Sequence, residues 1–214
     1  MHNLVLCICL FLLCTSCFAN NVEISVLGAD EKGLANAVVY LLPKDHVPVK
    51  TELNMAIMDQ VNTRFLPHIL AVQKQTLVRF PNSDSIKHHV YSFSPARVFE
   101  LQLYKGLQAK PLLFSKTGVV ELGCNVHDWM LGYIYVVDTP YFAKTDIDGR
   151  AQLIVPKGEY EVNAWHPRIQ DDIRDLALTI EVHKDMAQTI VIPSKLLPSL
   201  KPFQNETDEF PDYE

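Results

Sequence analysis

The residues with the clearest potential for chemistry lie in one short segment, 124–130, which reads Cys-Asn-Val-His-Asp-Trp-Met. Cys124, His127 and Met130 supply a thiolate, an imidazole and a thioether, with two residues between each and the next. Sulfur and imidazole ligands of this kind suit copper. Two further histidines, His88 and His89, lie upstream. If one of them folds against this segment, the ligand set becomes two histidines, a cysteine and a methionine.

The elements that must position these ligands read as strands. An apolar run at 118–123 directly precedes Cys124, and a β-branched and aromatic run at 89–93 follows the first histidine. Because neighbouring strand residues point to opposite faces, His88 and His89 should not both enter one site unless a bulge lies between them. The spacing alone leaves open which of the two is the ligand.

Strand patterns dominate the whole chain. Residues 22–26 alternate apolar and polar side chains with period two, and residues 152–155 do so less regularly. No long segment has a sustained helical period. Further β-branched or aromatic runs, separated by turn residues, lie at 37–42, 76–80, 98–104, 133–137, 159–165, 176–182 and 188–192. The pattern predicts an all-β fold of the sandwich kind.

The N-terminal region has the features of an export signal. Residues 4–18 form an apolar block that is short for a membrane-spanning helix, and polar residues follow Ala19. We therefore expect a signal peptide at 1–19, cleavage after Ala19 and a periplasmic protein without a transmembrane span. Lipid attachment at Cys17 is the alternative. Four of the five cysteines lie in this region, which leaves Cys124 as the lone thiol of the mature chain.

A lone thiol in an oxidising compartment cannot form an internal disulfide. It is either buried and inert, or it binds a partner or a metal. The net charge of −6 argues against nucleic acid as a partner, and no basic run suggests an anionic membrane surface. The acidic end, 198–214, contains too few apolar residues to fold alone and reads as a flexible tail.

The order and spacing of these ligands resemble those of the cupredoxins, the small blue-copper electron carriers, and amicyanin in particular. Residues 60–67 and 76–84 also resemble early strands of such domains. The resemblance implies a Greek-key β-sandwich with one copper ion in a type 1 site. The ligands it implies are His88, Cys124, His127 and Met130. His88 aligns with the family's first ligand, with His89 as the alternative, and His89 then stands where the family has asparagine.

A longer pattern narrows the resemblance. Residues 88–94 and 123–128 are similar to exported cupredoxin-like proteins often labelled methylamine utilisation proteins. The label does not transfer a pathway to this chain.

The flanking segments resemble a different fold. Residues 22–42, 145–150 and 156–162 are similar to strands of a small carboxypeptidase-regulatory-like, or transthyretin-like, β-sandwich. We therefore expect the first strands of that sandwich at 20–50, an inserted cupredoxin domain at 51–138 and the remainder of the sandwich at 139–197.

The function implied is that of a periplasmic electron carrier. Its partners would be redox proteins such as c-type cytochromes or a periplasmic dehydrogenase, met through an exposed edge of His127 beside Trp129 and Pro95. The alternatives are a non-redox copper carrier or chaperone, and a cell-envelope binding module that copper stabilises. We do not expect an enzyme, because two residues on a tight loop hold Cys124 and His127 poorly for a nucleophile and its base.

Overall fold

The computed structural model describes residues 19–45, 54–107 and 110–199. The expected leader, except for Ala19, and most of the acidic tail lie outside these ranges. One four-residue helix, α1 (Ile173–Leu176), is present, and no helix in these ranges is long and apolar enough to cross a membrane. The strands are β1 (Ala19–Leu27), β2 (Val38–Pro43), β3 (Met55–Ile57), β4 (Asp59–Val61), β5 (Arg64–Leu66), β6 (Ile69–Gln73), β7 (Thr76–Arg79), β8 (His88–Ser92), β9 (Phe99–Tyr104), β10 (Leu112–Phe114), β11 (Gly118–Gly123), β12 (Leu131–Val137), β13 (Phe142–Lys144), β14 (Arg150–Pro156), β15 (Gly158–Trp165), β16 (Leu178–Val182) and β17 (Met186–Val191). The all-β fold predicted from the sequence is confirmed.

Alternation of side chains explains the best-defined strands. In β1, Val22, Ile24 and Val26 are fully buried, whereas the residues between them are more exposed. β14 has the same period, with Leu153 and Val155 buried. A period of two places one apolar face on a core, so these sequences form half-buried strands.

The first two described strands pair with four of the last five. β1 lies between β14, to which it is antiparallel, and β17, to which it is parallel. β2 lies between β13 and β15 in a sheet of order β13-β2-β15-β16. Side chains of both sheets share one hydrophobic cluster, and we call this part the outer sandwich. Such pairing across the intervening segment supports our proposal that strands β3–β12 are an insertion.

Strands β3–β12 form the central sandwich, which has its own hydrophobic cluster. Its largest sheet has the order β6-β12-β11-β8-β9. β8 runs antiparallel to β11 with Tyr91 opposite Gly123. This register brings the beginning of β8, where the two histidines lie, beside the residues that follow β11. The sheet therefore joins two ligand segments that are distant in sequence.

A third cluster lies between the outer and central sandwiches. The rings of Tyr135 on β12 and Trp165 on β15 stack with centroids 4.5 Å apart and planes 10° from parallel. Lys144 on β13 donates from Nζ to the carbonyl of Ile69 on β6, at 3.1 Å. Burial lowers the pKa of this lysine. Stacked rings and a partly buried hydrogen bond hold the two sandwiches against each other.

Candidate metal centre

The ligand loop, residues 124–130, joins β11 to β12. Its two ends are buried, since Cys124 is 4% exposed and Met130 1% exposed. Between them the chain turns, and the Met130 N–H donates to the carbonyl of His127 at 3.0 Å. The anchored ends and this turn leave His127 half-buried between two exposed residues, Val126 and Asp128. The sequence at 124–130 therefore forms a short, folded connection rather than an open loop.

Three of the predicted ligands converge. The thiol of Cys124 and one ring nitrogen each of His88 and His127 all lie within 4.8 Å of one another. The rings of His88 and His127 have centroids 5.1 Å apart. His88 is fully buried, and Cys124 forms no disulfide within the part of the chain that the structure describes. A thiol and two imidazoles gathered in this way suit a soft transition metal.

The hydrogen bonding of the two histidines tests whether a metal fits. The Nδ1 atoms of His88 and His127 are both buried and have no hydrogen-bond partner among the described residues. A buried polar atom without a partner costs about 1–3 kcal/mol, so such atoms are uncommon without a function. Coordination of a metal ion would satisfy both. The residues present therefore fit a metal ion of the kind that the sequence predicts.

Asp84 determines which nitrogen of the His88 ring carries the proton. The Nε2 of His88 lies 2.7 Å from Oδ2 of Asp84. Burial by itself would raise the pKa of Asp84, but hydrogen bonds from the Thr63 N–H, the His88 ring and the Asn62 N–H outweigh it and lower the pKa. Because an ionised carboxylate only accepts, Nε2 must carry the proton. The lone pair of His88 then resides on Nδ1, the nitrogen that lacks a partner.

His89 faces a different environment. Its Nε2 lies 2.8 Å from Oε1 of Glu100 on β9, and its ring contacts that of Tyr91 with centroids 5.6 Å apart. The pairing of β8 with β9 shifts register between His88 and Val90. Despite this irregularity, only His88 of the two joins Cys124 and His127 in the described group of metal-binding side chains. His89 also has a buried Nδ1 without a partner in the described chain, but His89 does not belong to that group.

Met130, the fourth predicted ligand, is placed next to this group. It packs in the same hydrophobic cluster as Cys124, and both residues line one cleft. Since its N–H is bonded to the His127 carbonyl, its backbone is fixed relative to the second histidine. The structure thus keeps all four predicted ligand residues in one small region of the central sandwich.

The cleft beside the loop has a volume of about 570 Å³. Tyr91 and Phe93 of the chain around β8 line one side, and Cys124 and Met130 line the other. Exposed apolar side chains lie on the ligand loop and across the cleft from it: Val126 is 50% exposed, Trp129 46% and Phe93 81%. Asn125 and Asp128 on the same loop are exposed too, so the surface nearest the ligands combines apolar and polar side chains.

Two residues that contribute to the site, Asp84 and Thr63, are not predicted from the sequence to be part of it. Asp84 and Thr63 lie within the segments 76–84 and 60–67, which by sequence only resemble early strands. Asn125, the residue next to Cys124, is exposed and lines the cleft. Asn125 is adjacent to a predicted ligand in sequence, but Asp84 is the residue that is hydrogen-bonded to one.

Comparisons with known proteins gave matches among solved structures only. No model of a known protein family matches the chain. No curated protein matches it either. A copper-containing nitrite reductase from Thermus scotoductus SA-01 is 22% identical with a TM-score of 0.38, over 46% of this chain and 26% of that chain. A purple cupredoxin from Nitrosopumilus maritimus is 22% identical with a TM-score of 0.34, over 39% of this chain and 99% of that chain.

A reduced, copper(I) form of an amicyanin mutant is 18% identical with a TM-score of 0.35, over 46% of this chain and 99% of that chain. Because all these identities are below 25% and all these TM-scores below 0.5, we draw no conclusion about function from the similarities.

Proposed function

We propose that the protein binds one copper ion through His88, Cys124, His127 and Met130 and carries single electrons between redox partners in the periplasm. One observation supports the proposal most. Two buried histidine Nδ1 atoms, which have no hydrogen-bond partner among residues 19–45, 54–107 and 110–199, lie on residues that converge with a buried thiol. A bound copper ion would hold or release one electron by cycling between its cuprous and cupric states.

The protein's contribution is a rigid ligand set. His88 lies on a paired strand, where its ring is held by Asp84. Cys124 and Met130 are fixed by burial at the two ends of the loop. Ligands that are held in place before the metal binds move little when its charge changes, and this lowers the energy needed for electron transfer.

Burial favours electron transfer over copper delivery. His88 is fully buried, Cys124 is 4% exposed and Met130 1% exposed. A protein that hands copper to another protein must let a competing ligand reach the metal. Here only His127 among the proposed ligands is half-buried rather than buried. Electrons can leave through the edge of that ring, whereas exchange of the ion would require the loop to open.

The surface around His127 suits brief contacts with other proteins. The Trp129 ring contacts that of His127, with centroids 5.2 Å apart, and is 46% exposed. Val126 and Phe93 extend the apolar area. Weak redox complexes use small interfaces, which such an area would supply. We propose c-type cytochromes or a periplasmic dehydrogenase as the class of partner.

The deciding experiment is the visible spectrum of the mature protein with stoichiometric copper. We expect an intense thiolate-to-copper band that disappears and returns on one-electron reduction and oxidation. Cys124→Ser is the matched control and should lack the band while keeping the far-ultraviolet circular dichroism of the strands. A colourless copper complex in the unaltered protein would contradict the proposal.

The two alternatives give different results. A copper carrier should lose its ion to a chelator within minutes and transfer no electrons to a soluble oxidant. A binding module stabilised by copper should unfold at a higher temperature with copper than without it, yet show no reversible reduction.

A further inference from the structure

The carboxylate of Asp84 receives three donors at once. Its Oδ2 accepts from Nε2 of His88 at 2.7 Å and from the N–H of Thr63 at 2.8 Å. Its Oδ1 accepts from the N–H of Asn62 at 2.7 Å. The side chain is 12% exposed, and its bonds to His88 and Thr63 are partly buried, whereas the bond from Asn62 is exposed. One carboxylate thus connects a proposed ligand to the turn between β4 and β5.

The turn is shaped to present two donors to this carboxylate. Asn62 and Thr63 both have left-handed backbones, with φ of 51° and 59°. Two consecutive residues of this kind form the tight hairpin turn that antiparallel strands favour. In this turn the two N–H groups reach the same side chain, Asp84. The left-handed backbone costs energy for residues other than glycine, and the hydrogen bonds to Asp84 offset part of that cost.

The same turn also contacts the ligand loop. Nε1 of Trp129 donates to Oγ1 of Thr63 at 3.4 Å, and that hydroxyl itself donates to the carbonyl of Asn62 at 2.7 Å. The Trp129 ring contacts the His127 ring, and the His127 ring contacts the His88 ring. A closed circuit of contacts therefore runs through Thr63, Asp84, His88, His127 and Trp129, and we call these five residues the clasp.

We propose that Asp84 is a positioning residue for the metal site, and that the clasp holds its two histidine ligands in place before metal binds. The inference rests on the proposed function for its metal but makes a separate claim. Asp84 fixes the His88 tautomer, and through Thr63 and Trp129 it ties the strand ligand to the loop ligand. The clasp thereby connects the strand that carries His88 to the loop that carries His127.

The negative charge of Asp84 has a second consequence. A carboxylate bonded to a metal-binding imidazole makes that ring a stronger donor. The cupric ion carries more charge than the cuprous ion, so the stronger donor stabilises it more. Asp84 therefore favours the oxidised state.

Asp84→Asn is the test, because the amide is nearly the same size and carries no charge. Loss of such a partner weakens metal binding about 10–100-fold. We expect cupric affinity to fall about tenfold more than cuprous affinity, which raises the reduction potential by about 59 mV. Nitrogen-15 spectra of the metal-free protein at pH 8 should show His88 protonated on Nε2 in the unaltered chain and a mixture of tautomers in the variant.

The matched control is Asp59→Asn. Asp59 is 8% exposed and accepts from Ser83, the neighbour of Asp84, but none of its described hydrogen bonds is to His88. We expect this variant to lose stability while leaving the potential and the His88 tautomer unchanged. If the reduction potential and the His88 tautomer changed equally in both variants, the positioning role of Asp84 would be overturned.

Trp129→Phe tests the other half of the clasp, since it keeps an aromatic ring beside His127 and removes the donor to Thr63. In the metal-free protein, amide hydrogen exchange across residues 124–130 should accelerate in this variant, while β11 stays protected. Unchanged exchange would show that the loop is held without the clasp.

The outcomes separate this inference from the proposed function. If the unaltered protein shows the thiolate band and reversible reduction, but Asp84→Asn matches Asp59→Asn, the inference fails and the function stands. If the band is absent, the tautomer and exchange measurements on metal-free protein still decide the role of Asp84. Should Asp84→Asn not fold, a mixture of His88 tautomers in the unaltered metal-free protein would itself overturn the inference.

Discussion

The ring of Tyr91 on β8 packs directly against the backbone of Gly123 on β11. A Cβ added at Gly123 would lie 2.6 Å from the Cζ and hydroxyl oxygen of Tyr91, much closer than van der Waals contact. Gly123 immediately precedes Cys124, so its missing side chain lets an aromatic ring cover the strand next to the proposed thiolate ligand.

Gly123→Ala should therefore destabilise the central sandwich by overpacking, by about 1–3 kcal/mol. Denaturant unfolding of the metal-free protein measures the change. Combining it with Tyr91→Ala removes the ring that clashes, so the double variant should lose less stability than the two single variants added together. Simple additivity would show that the ring moves away without cost.

His88→Ala and His89→Ala form a matched pair of neighbouring substitutions. We expect His88→Ala to weaken copper binding by more than the roughly 10–100-fold expected for loss of a hydrogen-bond partner of a ligand. His89→Ala should keep copper and the visible band, and lose about 1 kcal/mol of stability with its contact to Glu100. Titration with a competing chelator measures the affinities. The reverse pattern would identify His89 as the ligand.

Met130→Leu should keep copper but raise the reduction potential, because the thioether that would stabilise the cupric state is replaced by a hydrocarbon. The volumes are similar, so stability should change by less than about 1.5 kcal/mol. Met58→Leu is the control, since Met58 is also fully buried in the same cluster but is not part of the loop. Equal potentials for the two variants would exclude Met130 as a ligand.

We expect ionisation of Tyr133 to lower the stability of the protein at alkaline pH. Burial, with a smaller effect from the charge of Glu121, raises the pKa of Tyr133 from 10.0 to about 12. Between these values the unfolded chain loses a proton that the folded chain retains, so stability falls as the pH rises from 10 towards 12. Tyr133→Phe keeps the ring and should make this fall shallower in metal-free protein. An unchanged slope would show that other groups cause the fall.

The ligand loop was predictable because its chemistry is local. Cys124, His127 and Met130 are close in sequence and rare in type, so their pattern needs no knowledge of the fold. Alternation likewise predicts β1 and β14, since each strand has one face on a core. Strand alternation predicts that His88 and His89 point to opposite faces, but it does not predict which of them faces Cys124.

Asp84 could not be found in this way. Its role depends on the left-handed turn at Asn62 and Thr63, which is more than 20 residues away, and on the direction of the His88 ring. Aspartate between serine residues reads as an ordinary turn. The Tyr91 contact with Gly123 depends on register between two strands, which the pattern of either strand alone does not contain.

β12 sets a limit on how this protein can be altered. Ile134 and Val136 belong to the cluster of the central sandwich, whereas Tyr135 and Val137 belong to the cluster shared with the outer sandwich. The strand begins directly after Met130, so a residue added to or removed from the loop must be absorbed within the loop itself. If β12 slipped by one position instead, tyrosine hydroxyls would enter the central core and both clusters would be lost. A loop of another length can therefore be grafted here without unfolding the protein only if each side chain of β12 still faces the same hydrophobic cluster.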